Sequence, residues 1–277
     1  MTGLSQLTSA QEALAQRATE FAEQVVQPIE LESELAGGPI SVESQQRIRS
    51  AALEAGLQGG LHRTEDGGNS WSHLEWFLVE EAFGRTTNAV SWYVPNAYNV
   101  WRAASPELKA RWLHPALRGE LHDAYAVTEA GAGSDPSMMT TTATKVDGGW
   151  LINGEKWFVT FGDVAAVLVV NAWALPDGPD GPRVSTLFAV PADSPGIAVV
   201  DDPVFTHNYP HGHPTLSFTD VRVTDADVIG DVGAGDELQR SWFVEERLGI
   251  AARCGGAMQR LLQELSLIHI SEPTRPY

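Results

Sequence analysis

Residues 125–135 carry the most specific pattern in this chain: Tyr125-Ala126-Val127-Thr128-Glu129-Ala130-Gly131-Ala132-Gly133-Ser134-Asp135. A second informative stretch lies further along, Leu151-Ile152-Asn153-Gly154-Glu155-Lys156-Trp157-Phe158-Val159-Thr160. The bare glycine amides of the first stretch indicate a tight loop that an anion can approach closely. Taken alone, such a loop is more typical of a plain surface turn, so the surrounding residues must decide its function.

Two enzyme classes are excluded by the residues of this loop. The segment begins like a dinucleotide-binding fingerprint, but Pro136 stands where the third glycine should be, and no βαβ unit surrounds it. Ser134 does not fit a nucleophile elbow, because Ala132 and Pro136 occupy the two flanking glycine positions. The pattern therefore argues against a Rossmann enzyme and against an α/β-hydrolase.

The part of the chain that precedes the loop, residues 1–120, is predicted to be a helical domain. Helix start signals occur at Ser9-Ala10-Gln11-Glu12, at Ser72-His73-Leu74-Glu75 and at Ser105-Pro106. Each signal is followed by apolar residues at helical spacing. Pro28 is predicted to end the first helix, because proline has no backbone N–H to donate.

Residues 121–232 are predicted to form a β domain. Short β-prone runs occur at residues 125–127, 150–152, 157–160, 167–172, 186–190, 197–200 and 216–223. Asn153-Gly154 is predicted to be the turn of a β-hairpin, since both residue types tolerate positive φ. No helices alternate with these runs, so the pattern favours a sandwich or barrel over a βαβ sheet.

A helix is predicted to begin near Asp236, within a third segment at residues 233–265. Its apolar face is predicted from the spacing of Phe243, Ile250, Ala257, Leu261 and Leu265. Residues 266–277 break this pattern and contain two prolines where the helix should continue. They resemble the translated end of a sequencing adapter, so we expect them to be non-native and exclude them from the fold.

The composition argues against two kinds of partner. The chain has 277 residues, is 43% apolar and 19% charged, and carries a formal net charge of −18. Nucleic acids and anionic membranes are both bound through basic surfaces, so neither is an expected partner. No apolar run has the length of a transmembrane helix, and the first residues do not resemble a signal peptide.

The single cysteine, Cys254, cannot form an internal disulfide and suits a reducing compartment. A cytoplasmic location is therefore expected. Cys254 lies in an apolar helical stretch, which predicts a buried, inert thiol and not a nucleophile.

Residues 126–135 match a known family signature at each position. That signature asks for a small residue, an aliphatic residue, Ser or Thr, and Glu; after two free positions it asks for a small residue, Gly, Ser or Thr, and Asp. A small residue usually follows three positions later, where this chain has Met138. Over residues 1 to 265, the chain resembles the FAD-dependent acyl-CoA dehydrogenase family.

This resemblance implies an α+β multidomain fold. A helical N-terminal domain would precede a β middle domain and a C-terminal four-helix bundle, of which only the first helix is present here. The resemblance also assigns residues to FAD binding, namely Tyr125, Val127, Thr128, Gly133, Ser134, Phe158 and Thr160. If residues 157–160 form a strand, Phe158 and Thr160 point to the same side, which would place a ring against the flavin and a hydroxyl near its N5.

The resemblance leaves the catalytic base open. Most relatives take a glutamate from a late helix that this chain does not contain, whereas a subset uses a glutamate on the first C-terminal helix. Glu246 occupies that position in Glu246-Arg247-Leu248, and the apolar stripe around it would raise its pKa toward that of a workable base. The alternative is a helix glutamate that pairs with a nearby arginine. Ser134 and Arg247 are the expected contacts to the substrate.

Three histidines, His207, His211 and His213, lie within seven residues and resemble a metal site. No cysteine or carboxylate joins them, and the prolines around them stiffen the loop. We therefore expect no metal there, and interpret the segment as a loop or a lining of the substrate site.

The implied function is the α,β-dehydrogenation of an acyl-CoA thioester, with electrons passed to an electron-transfer flavoprotein. Relatives assemble as homo-oligomers through the C-terminal helices. Two alternatives remain open: a flavin-dependent monooxygenase or oxidase of the same fold, and a non-catalytic truncated fragment. The 277-residue chain itself is expected to bind FAD weakly and to assemble poorly.

Overall fold

The computed structural model describes residues 6–38, 40–87, 90–178, 180–205 and 211–271. Its α-helices are α1 (Ser9–Phe21), α2 (Gln27–Ala36), α3 (Val42–Glu54), α4 (His73–Phe83), α5 (Pro106–Leu108), α6 (His114–Leu117) and α7 (Gly235–Ser271). Its strands are β1 (Asp123–Ala126), β2 (Thr142–Val146), β3 (Gly149–Lys156), β4 (Val167–Leu175), β5 (Val184–Pro191), β6 (Ile197–Asp201), β7 (Thr215–Thr224) and β8 (Val228–Ile229). The helical N-terminal part, the β domain and the final helix agree with the fold predicted from the sequence.

The helix start signals act as predicted at two of three places. The Ser72 hydroxyl accepts a hydrogen bond from the Glu75 backbone N–H, and the Ser72 backbone N–H donates to the Glu75 carboxylate. Ser105 caps α5. The first capping box lies one residue earlier than predicted. Thr8 caps α1 and pairs with Gln11, so Ser9 is the first helical residue and not the cap.

Pro28 does not end the helical run, contrary to the prediction. The chain passes from α1 through a wider, π-helical turn at Ala22–Val26, and α2 then begins with Pro28 in its first turn. The wider turn accommodates the proline, which has no N–H to donate to the preceding turn. The helix ends instead at Gly37, whose φ of 65° closes α2.

The strands of the described residues form one sheet with the order β6-β7-β3-β2-β4-β5-β8, and β1 also pairs with β4. β1 and β2 run parallel to β4 and pair with different parts of it, while the other strand pairs are antiparallel. The sheet curves over on itself, so that Trp150 of β3 meets Phe188 of β5 with ring centroids 5.7 Å apart. The predicted β domain is confirmed; β2 and β8 are strands that the sequence runs did not predict.

The predicted Asn153-Gly154 hairpin is wrong. Both residues lie inside β3, where a bulge interrupts its pairing with β7 between Ile152 and Gly154. Gly154 has a φ of 146°, and a Cβ added to it would lie 2.5 Å from the Thr141 hydroxyl. Glycine is therefore needed here because β3 passes very close to Thr141. The real hairpin joins β2 to β3 at Asp147-Gly148, a turn pair of the same type.

Helix α7 packs against α4 through small residues, not through the predicted apolar face. Gly249, Ala252 and Gly256 are buried at this contact. A Cβ added to Gly256 would overlap the carbonyl oxygen of Glu81, and one added to Gly84 would overlap the backbone of Arg253. The two backbones therefore approach closely, as only glycine allows.

The apolar residues of α7 lie largely on its outer side. The exposed residues are Val244, Ile250, Met258, Leu261, Leu262 and Leu265. Cys254 is also exposed, so the prediction of a buried thiol is wrong. The reason is that spacing predicts an apolar face but not which face a neighbour covers. The helix also continues beyond Leu265 to Ser271, and residues 272–277 lie outside the described part. Despite its length, no window of α7 or of any other described helix is apolar enough to span a membrane.

The close α4–α7 contact predicts opposite effects for two adjacent glycines. Gly256→Ala should lower the free energy of unfolding by about 1–3 kcal/mol, because the new methyl group has no space. Gly255→Ala is the matched control, since its Cβ would meet only the flexible Glu81 side chain, at 3.4 Å. It should raise stability by up to about 1 kcal/mol through helix propensity. Urea unfolding of both variants tests this, and equal effects would contradict the close contact.

Candidate active site

The two informative stretches of the sequence meet through a buried ion pair. Lys156, at the end of β3, is fully buried and donates to Glu129 Oε1 at 2.8 Å and to the carbonyl oxygen of Val127 at 3.0 Å. The adjacent Trp157 backbone N–H donates to the Thr128 carbonyl at 2.7 Å. The loop after β1 is therefore fixed against the end of β3.

The Glu129 carboxylate also organises the loop that follows it. It accepts hydrogen bonds from the backbone N–H groups of Thr140 and Thr141 and from the Thr140 hydroxyl. Burial alone would raise the pKa of Glu129, but the Lys156 charge and these hydrogen bonds outweigh it and hold the pKa at about 2. The signature glutamate thus has a structural role, one that the sequence analysis did not assign to it.

The predicted strand at residues 157–160 is wrong, because β3 ends at Lys156. Phe158 has a φ of 52°, which turns the chain out of the sheet. The alternation argument for Phe158 and Thr160 therefore does not hold. The structure still leaves the Phe158 ring 49% exposed, and the Thr160 hydroxyl lies 2.9 Å from His213 Nδ1.

The other residues assigned to the cofactor fall into two groups. Tyr125 and Val127 are buried, and the Tyr125 ring lies 4.6 Å from that of Trp242 on α7. Gly133 and Ser134 are exposed on the loop, and a Cβ added to Gly133 would have no atom within 4 Å. The buried pair is part of the hydrophobic core, whereas the exposed pair is accessible from solvent.

A cavity of about 200 Å³ lies beside these segments, between the helical domain, α7 and the turn after β3. Aromatic side chains form part of its lining, namely Trp71, Trp76, Phe83, Trp92, Tyr93, Tyr98, Phe161 and Trp242. Glu246, the predicted base, lines the same cavity. Its Oε1 atom accepts a hydrogen bond from Arg253 Nη2 at 2.9 Å. The packing of α7 against α4 places Glu246 at the cavity, whereas the sequence analysis expected it on an apolar face of α7.

Arg253 bridges two acids at this cavity, Glu246 and Glu80 of α4. The Glu80 side chain is 11% exposed and that of Glu246 is 34% exposed. Burial raises the pKa of Glu80, although Arg253 opposes that change. Glu80 is therefore more strongly desolvated than Glu246, and burial also raises the pKa of Asp123, another carboxyl that lines the cavity, to about 6. Sequence reasoning missed Glu80 and Arg253, which lie on different helices.

Two predicted features do not line this cavity themselves. Arg247 is exposed, and its guanidinium sits 5.6 Å from the Phe243 ring. Among the histidines, His207 lies outside the described residues, His211 contacts Tyr93 and Asp163, and His213 contacts Thr160. Within the described ranges, no three His, Cys, Asp or Glu side chains are grouped to hold a metal ion.

Comparison with protein-family models identifies the chain. The model of the acyl-CoA dehydrogenase N-terminal domain matches residues 8–120, and that of the middle domain matches residues 124–221. The chain belongs to the acyl-CoA dehydrogenase family. It is 33% identical over 172 residues to a (R)-benzylsuccinyl-CoA dehydrogenase of Thauera aromatica, covering 61% of this chain and 41% of that relative. It is 32% identical to a probable acyl-CoA dehydrogenase of Mycobacterium tuberculosis, and the match covers 78% of this chain and 55% of that relative. The chain thus spans about half the length of these relatives.

Solved structures agree with this assignment. A probable acyl-CoA dehydrogenase of Mycobacterium abscessus superimposes with a TM-score of 0.84 at 28% identity, covering 98% of this chain and 71% of that one. A structure of PigA with FAD and proline has the same TM-score at 25% identity, with the same coverage of 98% and 71%. FAD is the cofactor of this family. The exposed Phe158 ring, the neighbouring Thr160 hydroxyl and the open glycine loop fit such a cofactor.

The Glu129–Lys156 pair has a signal in the sequence that can be recognised. Trp150 and Ile152 lie at alternate positions of one strand and are buried, and Lys156 lies in the same alternation. A lysine on an inward-facing position requires a buried partner, because an unpaired charge there is costly. The sequence does not show which acid that partner is.

The buried pair predicts a large loss of stability in Lys156→Met. Removing one partner leaves the Glu129 charge uncompensated, which should cost about 3–5 kcal/mol. Lys145→Met is the control, because Lys145 pairs with Asp225 at the surface and should cost no more than about 1 kcal/mol. Denaturant unfolding measures both. Similar losses for the two variants would contradict the role of the buried pair.

The pH dependence of this difference follows from the low pKa of Glu129. Its stabilising contribution is present above the ordinary carboxyl pKa and is lost as the pH falls toward about 2. The stability gap between the wild-type protein and Lys156→Met should therefore stay nearly constant near neutral pH and narrow as the pH falls from about 4.5 toward about 2. A gap that widens on acidification would show that Glu129 is not the partner charge.

Proposed function

We propose that this chain provides the FAD-binding and acyl-binding parts of an enzyme that dehydrogenates an acyl-CoA thioester between its α and β carbons. The observation that carries the proposal is one shared cavity. Glu246 lines it from α7, and Phe161 lines it from the turn that directly follows Thr160. A proton acceptor and the proposed flavin-contacting segment therefore face the same space.

In this proposal the bound flavin supplies the acceptor for the hydride that leaves the β carbon. Glu246 takes the proton from the α carbon, and the hydrogen bond from Arg253 holds its carboxylate in place. The aromatic side chains that line the cavity would limit the access of water to the reacting atoms. Thr160 and the backbone near Thr128 would hold the ring, and Gly133 and Ser134 would hold the phosphates.

The relatives support the substrate class and the electron acceptor. Several are named as enzymes of CoA thioesters, including a cyclohex-1-ene-1-carbonyl-CoA dehydrogenase of Syntrophus aciditrophicus at 29% identity. Another is the caffeyl-CoA reductase–Etf complex subunit CarC of Acetobacterium woodii, at 27% identity. On this basis we propose an electron-transfer flavoprotein as the redox partner. The exposed apolar side of α7 supports assembly into a homo-oligomer.

The exposed aromatic ring predicts how FAD binding responds to mutation. Phe158→Ala should weaken FAD binding by about tenfold, because the flavin loses an aromatic surface to stack on. Val199→Ala is a control at an exposed apolar position of β6. Fluorescence titration of each purified variant with FAD measures the dissociation constants. An unchanged constant in Phe158→Ala would remove this residue from the cofactor site.

The proposed base predicts a single-turnover defect. FAD-loaded protein is mixed anaerobically with butyryl-CoA, and the loss of visible flavin absorbance is followed. Glu246→Gln should slow this step by about 10²–10⁴-fold, because an amide cannot accept the α proton. Glu237→Gln, on the first turn of α7, is the control and should react like the wild-type protein.

Two outcomes would contradict the assignment. A normal rate in Glu246→Gln combined with a lost rate in Glu80→Gln would move the base to Glu80. Rapid oxygen consumption by the reduced protein would instead favour a monooxygenase or oxidase.

A further inference from the structure

Arg49 lies at the boundary of two cavities. It projects from α3 and lines both the cavity of about 200 Å³ that contains Glu246 and a second one of about 270 Å³. Gly119, Leu121 and His122 are shared by both cavities as well. The guanidinium of Arg49 is therefore placed where a ligand in the first cavity can reach it.

The partners of Arg49 are neutral. Its Nη2 atom lies 2.7 Å from His122 Nε2, and since arginine can only donate, that nitrogen must be the unprotonated acceptor. Burial, followed by the Arg49 charge, lowers the pKa of His122 to about 4, so the imidazole carries no charge at neutral pH. The ring of Tyr93 lies 5.4 Å from the guanidinium carbon. Arg49 Nε is buried and has no hydrogen-bond partner.

The other two arginines that line the first cavity are each paired with a carboxylate. Arg102 binds Glu245 through two hydrogen bonds, and Arg253 binds Glu80 and Glu246. No ion pair within the described ranges includes Arg49. The acids on nearby segments are already engaged, Glu120 with Arg118, Asp163 with His211, and Asp123 with the Tyr98 N–H and the Trp101 indole. Arginine cannot neutralise itself by losing its proton, so this charge favours an anionic ligand.

We propose that Arg49 binds a carboxylate at the far end of the acyl group, so that the substrate is the CoA thioester of a short dicarboxylic acid. This inference rests on the proposed function, since it places the thioester end of the ligand near Glu246. The planar guanidinium matches a carboxylate with two hydrogen bonds, and its half-buried position strengthens them. The small cavity favours a short acyl group, because its volume is below the range of about 300–1,000 Å³ found for larger ligands.

The test compares two thioesters of equal carbon number, glutaryl-CoA and pentanoyl-CoA, which end in a carboxylate and a methyl group respectively. Each is titrated into the full chain at saturating FAD, and tryptophan fluorescence reports binding because four tryptophans line the cavity. Glutaryl-CoA should bind at least about tenfold more tightly than pentanoyl-CoA. Arg49→Gln should remove this preference by weakening glutaryl-CoA alone.

Two further variants separate the charge from a folding defect. Arg49→Lys should keep part of the preference, because it retains the charge but loses the two-point geometry. Arg47→Gln, at an exposed position of the same helix, should behave like the wild-type protein. Thermal unfolding of each variant confirms that it is folded.

The outcomes are distinct for the two proposals. Equal binding of the two thioesters by the wild-type protein, or an unchanged preference in folded Arg49→Gln, would overturn the carboxylate site alone. If neither thioester binds, the proposed function fails and this inference fails with it.

Discussion

Lys156 donates to the carboxylate of Glu129 and to the carbonyl of Val127, and both charged side chains are almost completely removed from solvent. Because a buried charge without a partner is costly, these contacts specify one arrangement of two segments that are distant in the sequence. Glu129 also accepts hydrogen bonds from the backbone N–H groups of Thr140 and Thr141, which fixes the position of the segment that leaves the loop. Together with the hydrogen bond from the Trp157 N–H to the Thr128 carbonyl, this ion pair fixes the glycine-rich loop relative to Phe158.

The second determinant is the close contact between α4 and α7. The absence of side chains at Gly84 and Gly256 lets the two backbones touch, and this brings Arg253 within reach of acids on both helices. Glu246 is thereby directed toward the cavity and not toward the outer, apolar side of α7. A helix with little apolar surface at its contact is held by small residues and ion pairs.

Charge is distributed unevenly in this acidic chain. The net charge of −18 opposes the approach of anionic ligands such as FAD or coenzyme A thioesters. Three arginines nevertheless line the cavity, of which Arg102 and Arg253 are paired with carboxylates while Arg49 contacts only neutral groups. Local geometry, and not net charge, therefore determines where an anion is favoured.

The sequence by itself determined the family, the order of helical and β domains, and the caps at Ser72 and Ser105, because these rest on local residue chemistry and on periodicity. Only the tertiary structure decided that Gly154 allows a close approach to Thr141, that Phe158 leaves the sheet, and that α7 turns its apolar side outward. Each of these depends on which distant segment lies opposite. Local propensity does not contain that information, since the energy of a close approach or a buried charge arises only when both partners are in place.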